Sequence, residues 1–120
     1  MDYIISTASL LMLDSVYISL TKSYFSSLVK KIQKENMVTR LFSIIGVYML
    51  LAFGLYTLII SKNRSPQEAF LLGITIYGVF ELTNYAIFKN WSILPVIFDT
   101  VWGGILLYLA TRITYFLLKL

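Results

Sequence analysis

The chain contains no cysteine and no histidine, and only six of its 120 residues are acidic. Without cysteine there is no disulfide, no iron–sulfur cluster and no thiolate metal site. Without histidine the usual general base and the usual zinc or haem ligand are gone, so no Ser–His–Asp triad can be built and no haem is expected. Charged residues of both signs make up 13% of the chain, about half the ~25% of a soluble domain. Apolar residues make up 58%. A soluble domain of this size could not hide that much apolar surface. Disorder is excluded by the same balance, since disordered chains are charged and poor in hydrophobes. Lipid is therefore the expected solvent. The net charge of +4 would suggest a nucleic-acid partner only if the basic residues formed an exposed patch. Here they flank apolar runs, so the bilayer is the expected partner and nucleic acid is not.

A hydrocarbon core of ~30 Å needs ~20 helical residues. Four runs qualify, at residues 3–20, 41–60, 69–88 and 93–110. The alternating polarity of barrel strands is absent, and helices satisfy their own backbone groups in lipid. The expected fold is all-α: an integral membrane four-helix bundle occupying residues 1–120 as one domain. A signal peptide fits the first run poorly. It opens on Asp2, Asp14 interrupts it, and no small-x-small cleavage site follows. Ser65-Pro66-Gln67-Glu68 reads as a capping box with proline at the first helical position. Ser92 is placed to cap the fourth helix, with Pro95 in its tolerant first turn.

Residues 21–40 form a basic amphipathic connection between helices 1 and 2. They carry Lys22, Lys30, Lys31, Lys34 and Arg40 against a single acid, Glu35, while Tyr24, Phe25, Leu28, Val29 and Ile32 recur at helical spacing. Such a segment lies on the membrane surface or continues the first helix into water. Its charges serve as topology signals or contact anionic lipid. Together with Lys89 this side holds six basic residues, and the other side holds Lys62, Arg64, Arg112 and Lys119. The bias places both termini outside and the basic connection in the cytoplasm.

Three of the six acids, Asp14, Glu81 and Asp99, fall inside spans. Each costs ~2.5–3.5 kcal/mol at mid-membrane on the insertion scale, so each must be paired, protonated, hydrated or cation-bound. No lysine or arginine lies in the central part of any span. Asp14 precedes Thr21, Glu81 precedes Phe88 and Asp99 follows Trp91 by seven or eight residues. At 1.5 Å per residue all three stand roughly 10–12 Å from the same membrane face. Helical phase groups Thr7, Asp14, Tyr17 and Thr21 on the first helix. It groups Tyr77, Glu81, Asn84 and Tyr85 on the third, and Asp99, Trp102, Gly103 and Leu106 on the fourth. Gly103, Gly104 and the Ala69-xxx-Gly73 pair permit close helix approach. The expected polar site is one chamber lined by Asp14, Tyr17, Tyr77, Glu81, Asn84, Asp99 and Trp102.

At these residues the chain resembles an uncharacterised four-span membrane protein family, the domain of unknown function 2177. Leu13-Asp14-Ser15-Val16-Tyr17 is similar to that family's Leu-Asp-x-x-Trp. Phe80-Glu81-Leu82-Thr83-Asn84, Phe88-Lys89-Asn90-Trp91 and Asp99-Thr100-Val101-Trp102-Gly103 are similar to its Tyr-Asp-Leu-Thr-Asn, its basic-x-Trp-Pro turn and its Asp-x-x-Trp-Gly. Order and spacing hold over the whole second half, and the first half matches around Asp14. Glu81 stands for the family's Asp, Tyr17 for a Trp and Ser92 for a Pro. The resemblance implies an integral membrane protein of four spans, without an activity.

Three functions fit these residues. Carboxylates, Asn84 and tyrosine hydroxyls are oxygen ligands suited to a proton or a hard cation, with Asp14, Glu81 and Asp99 as the candidate metal ligands. Such a transport path in so short a chain points to a homo-oligomer. The acids could instead be packing determinants of a structural or accessory protein, bonding across helices. A membrane enzyme acting on lipid, with the same acids as acid–base groups, is disfavoured by the missing histidine and cysteine.

Overall fold

The computed structural model describes residues 1–35 and 40–119. Four helices follow in order: α1 Asp2–Gln33, α2 Leu41–Leu58, α3 Pro66–Ile87 and α4 Ile93–Leu118, with a 3₁₀ turn at Ile60–Lys62 after α2. All four are long and apolar enough to cross a membrane. The chain is an all-α bundle, and successive helices run antiparallel. Tyr3 near the start of α1 meets Tyr56 near the end of α2 at 4.8 Å between ring centroids. The Tyr115 hydroxyl of α4 donates to the Arg64 carbonyl between α2 and α3 at 2.6 Å.

Helix boundaries follow from local chemistry. Ser65 Oγ accepts from the Glu68 amide at 3.2 Å, and Glu68 Oε1 accepts from the Ser65 amide at 3.5 Å. With Pro66 at the first position, both halves of the capping box are present. Ser92 Oγ accepts from the Leu94 amide at 3.3 Å and starts α4. α1 stops where Lys34 turns left-handed at φ 61°, its amide bonding the Lys30 carbonyl.

The basic segment extends α1 rather than forming a separate surface helix. Helix α1 is continuous for 32 residues, about 48 Å at 1.5 Å per residue, well beyond the ~30 Å core. Residues 21–33 belong to this extension, and residues 36–39 of the expected connection lie outside the described residues. The fourth span likewise continues past 110 to Leu118.

Burial runs opposite to that of a soluble protein. Phe42 is 90% and Leu20 80% exposed, whereas Glu81 is fully buried. That inversion suits a molecule whose outer solvent is hydrocarbon. The core, with Leu10, Leu55, Ala69, Leu106, Leu107 and Ala110, lies between all four helices. Helices α3 and α4 form the closest pair. A Cβ on Gly73 would fall on the Gly103 carbonyl, and one on Gly103 would enter the Tyr77 ring. One on Gly104 would sit 2.8 Å from Phe70. This close approach puts the acids of α3 and α4 side by side.

Candidate functional site

Each intramembrane acid accepts a hydrogen bond from an aromatic donor. On α1, Asp14 Oδ1 accepts from the Trp102 indole of α4 at 2.9 Å, and Oδ2 accepts from the Tyr48 hydroxyl of α2. One turn on, the Tyr17 hydroxyl donates to Asp99 Oδ1 at 2.6 Å. The Tyr17 and Trp102 rings are stacked 4.6 Å apart and nearly parallel, which orders both donors. On α3, Glu81 Oε1 accepts from the Trp91 indole at 3.0 Å. Trp91 comes from the short turn between α3 and α4, whose Trp91 amide bonds the Phe88 carbonyl.

The second Glu81 oxygen is different. Oε2 is buried and receives no hydrogen bond among the described residues, while the Asp99 carboxyl lies within interaction range of the Glu81 carboxyl. Two carboxylates bond to each other only when they share a proton. Asp14 hydrogen-bonds Trp102, three residues farther along α4 than Asp99, and so stands about one turn, ~5 Å, deeper. The acids thus divide into a facing pair, Glu81 and Asp99, and a separate Asp14 held by two donors. Among the described residues, no three acids, histidines or cysteines converge as metal ligands would.

The remaining expected site residues take different places. Tyr77 packs its ring on Gly103 and lies within electrostatic reach of Asp14 and Asp99. The Asn84 side chain is half-buried and makes no hydrogen bond among the described residues, although its carbonyl ends α3 by accepting from Phe88. Lys22, Lys30 and Lys31 are exposed on the α1 extension, Lys34 terminates it, and Arg40 precedes α2.

Sequence reasoning missed Tyr48, Trp91 and an aromatic cluster. Phe25 of the α1 extension meets Phe98 at 5.8 Å and Trp91 at 6.4 Å, and Tyr24 meets Phe98 edge-on at 5.8 Å. These rings gather around Trp91, the donor to Glu81, and Phe98, the residue before Asp99. The signal for Trp91 was its place in a turn between two acid-bearing helices. Tyr48 carried the weaker signal of a hydroxyl in the middle of an apolar run.

A family model described as "Predicted membrane protein (DUF2177)" matches residues 1–116. No curated protein and no solved structure matches the chain. With nearly its whole length matched, the chain belongs to that family of membrane proteins.

Proposed function

We propose that this family member holds a proton within the bilayer, shared between the Glu81 and Asp99 carboxyls. The observation that carries the reading is the fully buried Glu81, with one oxygen taken by Trp91 and the other without a donor, beside a second buried acid. No lysine or arginine lies in the central part of any span to neutralise the pair, and buried like charges this close are not both ionised. An ionisable residue inside a span is by default a candidate for a proton or ion pathway. A proton suits the pair better than a hard cation, because cations such as Ca²⁺ take 6–8 oxygen ligands and only two acids face each other here. A chain of 120 residues is short for a full path across the bilayer, so transport through this site calls for a homo-oligomer.

Infrared titration of the protein in lipid tests the reading. A protonated-carboxyl C=O band should persist at neutral pH in the wild type, although exposed carboxyls ionise near pH ~4. The band should vanish in Glu81→Gln and in Asp99→Asn. A wild type with no such band at neutral pH would overturn the shared proton.

Asp14 favours a second, structural reading for its own position. Accepting from Tyr48 and Trp102, it ties α1 to α2 and α4. Interhelical bonds of this kind average ~0.6 kcal/mol.

The orientation proposed places both termini outside and the basic end in the cytoplasm, from the six-to-four excess of basic residues. Single cysteines at Lys31 and Lys62 should then differ in reaction with an impermeant thiol reagent on intact cells. Labelling is expected at position 62 and not at 31, and equal labelling would reject this arrangement.

A further inference from the structure

The α1 extension does more than protrude. Beyond the acid pair its apolar side stays docked on the bundle, with Leu28 buried and Tyr24 and Phe25 in ring contact with Phe98 and Trp91. Between the extension and the α3–α4 turn lies an open groove of about 440 Å³ lined by Tyr24, Ser27, Leu28, Lys31, Asn90 and Ser92. That volume falls within the ~300–1,000 Å³ of small-molecule sites. The lining offers one cation, two serine hydroxyls, an amide and a phenol, and no acid.

The charge around the groove is unbalanced. This end of the bundle carries six basic residues, Lys22, Lys30, Lys31, Lys34, Arg40 and Lys89, against Glu35. None of the six forms an ion pair among the described residues; the salt bridges found there, Met1–Asp2 and Arg64–Glu68, are both at the opposite end. Following Ser92 of the groove, α4 carries Ile93, Leu94 and Ile97, each more than half exposed. A polar, cationic groove at the edge of the hydrocarbon with an apolar strip beneath it matches the two halves of one amphiphile.

The geometry points to this groove as a binding site for the headgroup of an anionic phospholipid, with Lys31 on the phosphate and the acyl chains along the outer face of α4. Polar groups for the phosphate oxygens come from Ser27, Asn90 and Ser92, and Tyr24 forms the wall. The inference is independent of the Glu81–Asp99 proton.

Native mass spectrometry of the purified protein, with phosphatidylglycerol or phosphatidylcholine added in equal amounts, tests it. One phosphatidylglycerol per chain should be retained in preference to phosphatidylcholine. A lysine near an anionic surface contributes about 1 kcal/mol, or about fivefold in occupancy. Lys31→Gln should therefore reduce retention of phosphatidylglycerol about fivefold or more. Lys31→Arg should largely restore it, and Lys22→Gln, which removes the same charge outside the groove, should change it less than about twofold. All these side chains are exposed, so the variants keep the fold, and the melting temperature measured alongside verifies this. Equal loss in Lys22→Gln and Lys31→Gln would show diffuse attraction in place of a site. Equal retention of the two lipids, or displacement of phosphatidylglycerol by millimolar inorganic phosphate alone, would overturn the proposal.

Discussion

Wild-type protein in detergent should lose thermal stability as pH rises from ~4 through neutrality, and Glu81→Gln and Asp99→Asn should lose much less. The sign comes from proton counting. Unfolded carboxyls release their protons near pH ~4. Folded, the Glu81–Asp99 pair holds one proton that the unfolded chain would already have given up. The folded state then binds more protons, so stability falls as pH rises. Loss of that proton leaves two buried charges facing each other. Removing the compensation from a buried charge costs about 3–5 kcal/mol, on the order of 10 °C in melting temperature for a chain of this size. Among the described residues the hydrogen-bond donors to the pair are the Tyr17 hydroxyl from α1 and the Trp91 indole from the turn, and the Tyr77 phenol of α3 lies within electrostatic reach of Asp99. An amide at either position donates N–H to the remaining carboxylate and accepts from the same aromatic partner, at every pH. Added Mg²⁺, Ca²⁺, Mn²⁺ and Na⁺ form the second arm. A melting temperature that responds to one cation and not to pH would replace the proton with that ion. A response flat to both would leave the acids as interhelical acceptors.

Gly73→Ala should cost more stability than any other single-methyl change in the chain. The added Cβ would land on the backbone carbonyl of Gly103, a group that no rotamer change can move aside. The helices must part or the residue must shift, and overpacking of this kind costs about 1–3 kcal/mol. Gly73→Leu should prevent the α3–α4 pair from forming. Gly54→Ala is the matched control, since nothing lies within 4 Å of its added Cβ. Its melting temperature should stay at or above that of the wild type, helped by the higher helix propensity of alanine. Because the same contact sets Glu81 beside Asp99, Gly73→Ala should also weaken the pH response. Equal melting temperatures for the Gly73 and Gly54 variants would mean that α3 and α4 pack by some other face.

The sequence by itself determined the solvent, the number of crossings and the kind of residue at the site. Four apolar runs of membrane length and a shortage of charge leave helices in lipid as the physical solution, and they stand as α1 to α4. Capping at Ser65 and Ser92 was legible because it involves atoms two or three residues apart. Acids inside apolar runs announced themselves by their cost, and helical phase set them inward. What the tertiary structure decided was pairing. Periodicity assigns Asp14, Glu81 and Asp99 to inward faces, but it does not say which facing helix supplies each donor. Tyr48, in the middle of an apolar run, became a partner of Asp14 only through the packing of α2 on α1. Trp91 reached Glu81 because the α3–α4 turn folds its indole back over the helix end. The separation of Asp14 from the Glu81–Asp99 pair likewise depends on the register between α1 and α4, which is fixed by long-range packing of side chains and is carried by no local pattern.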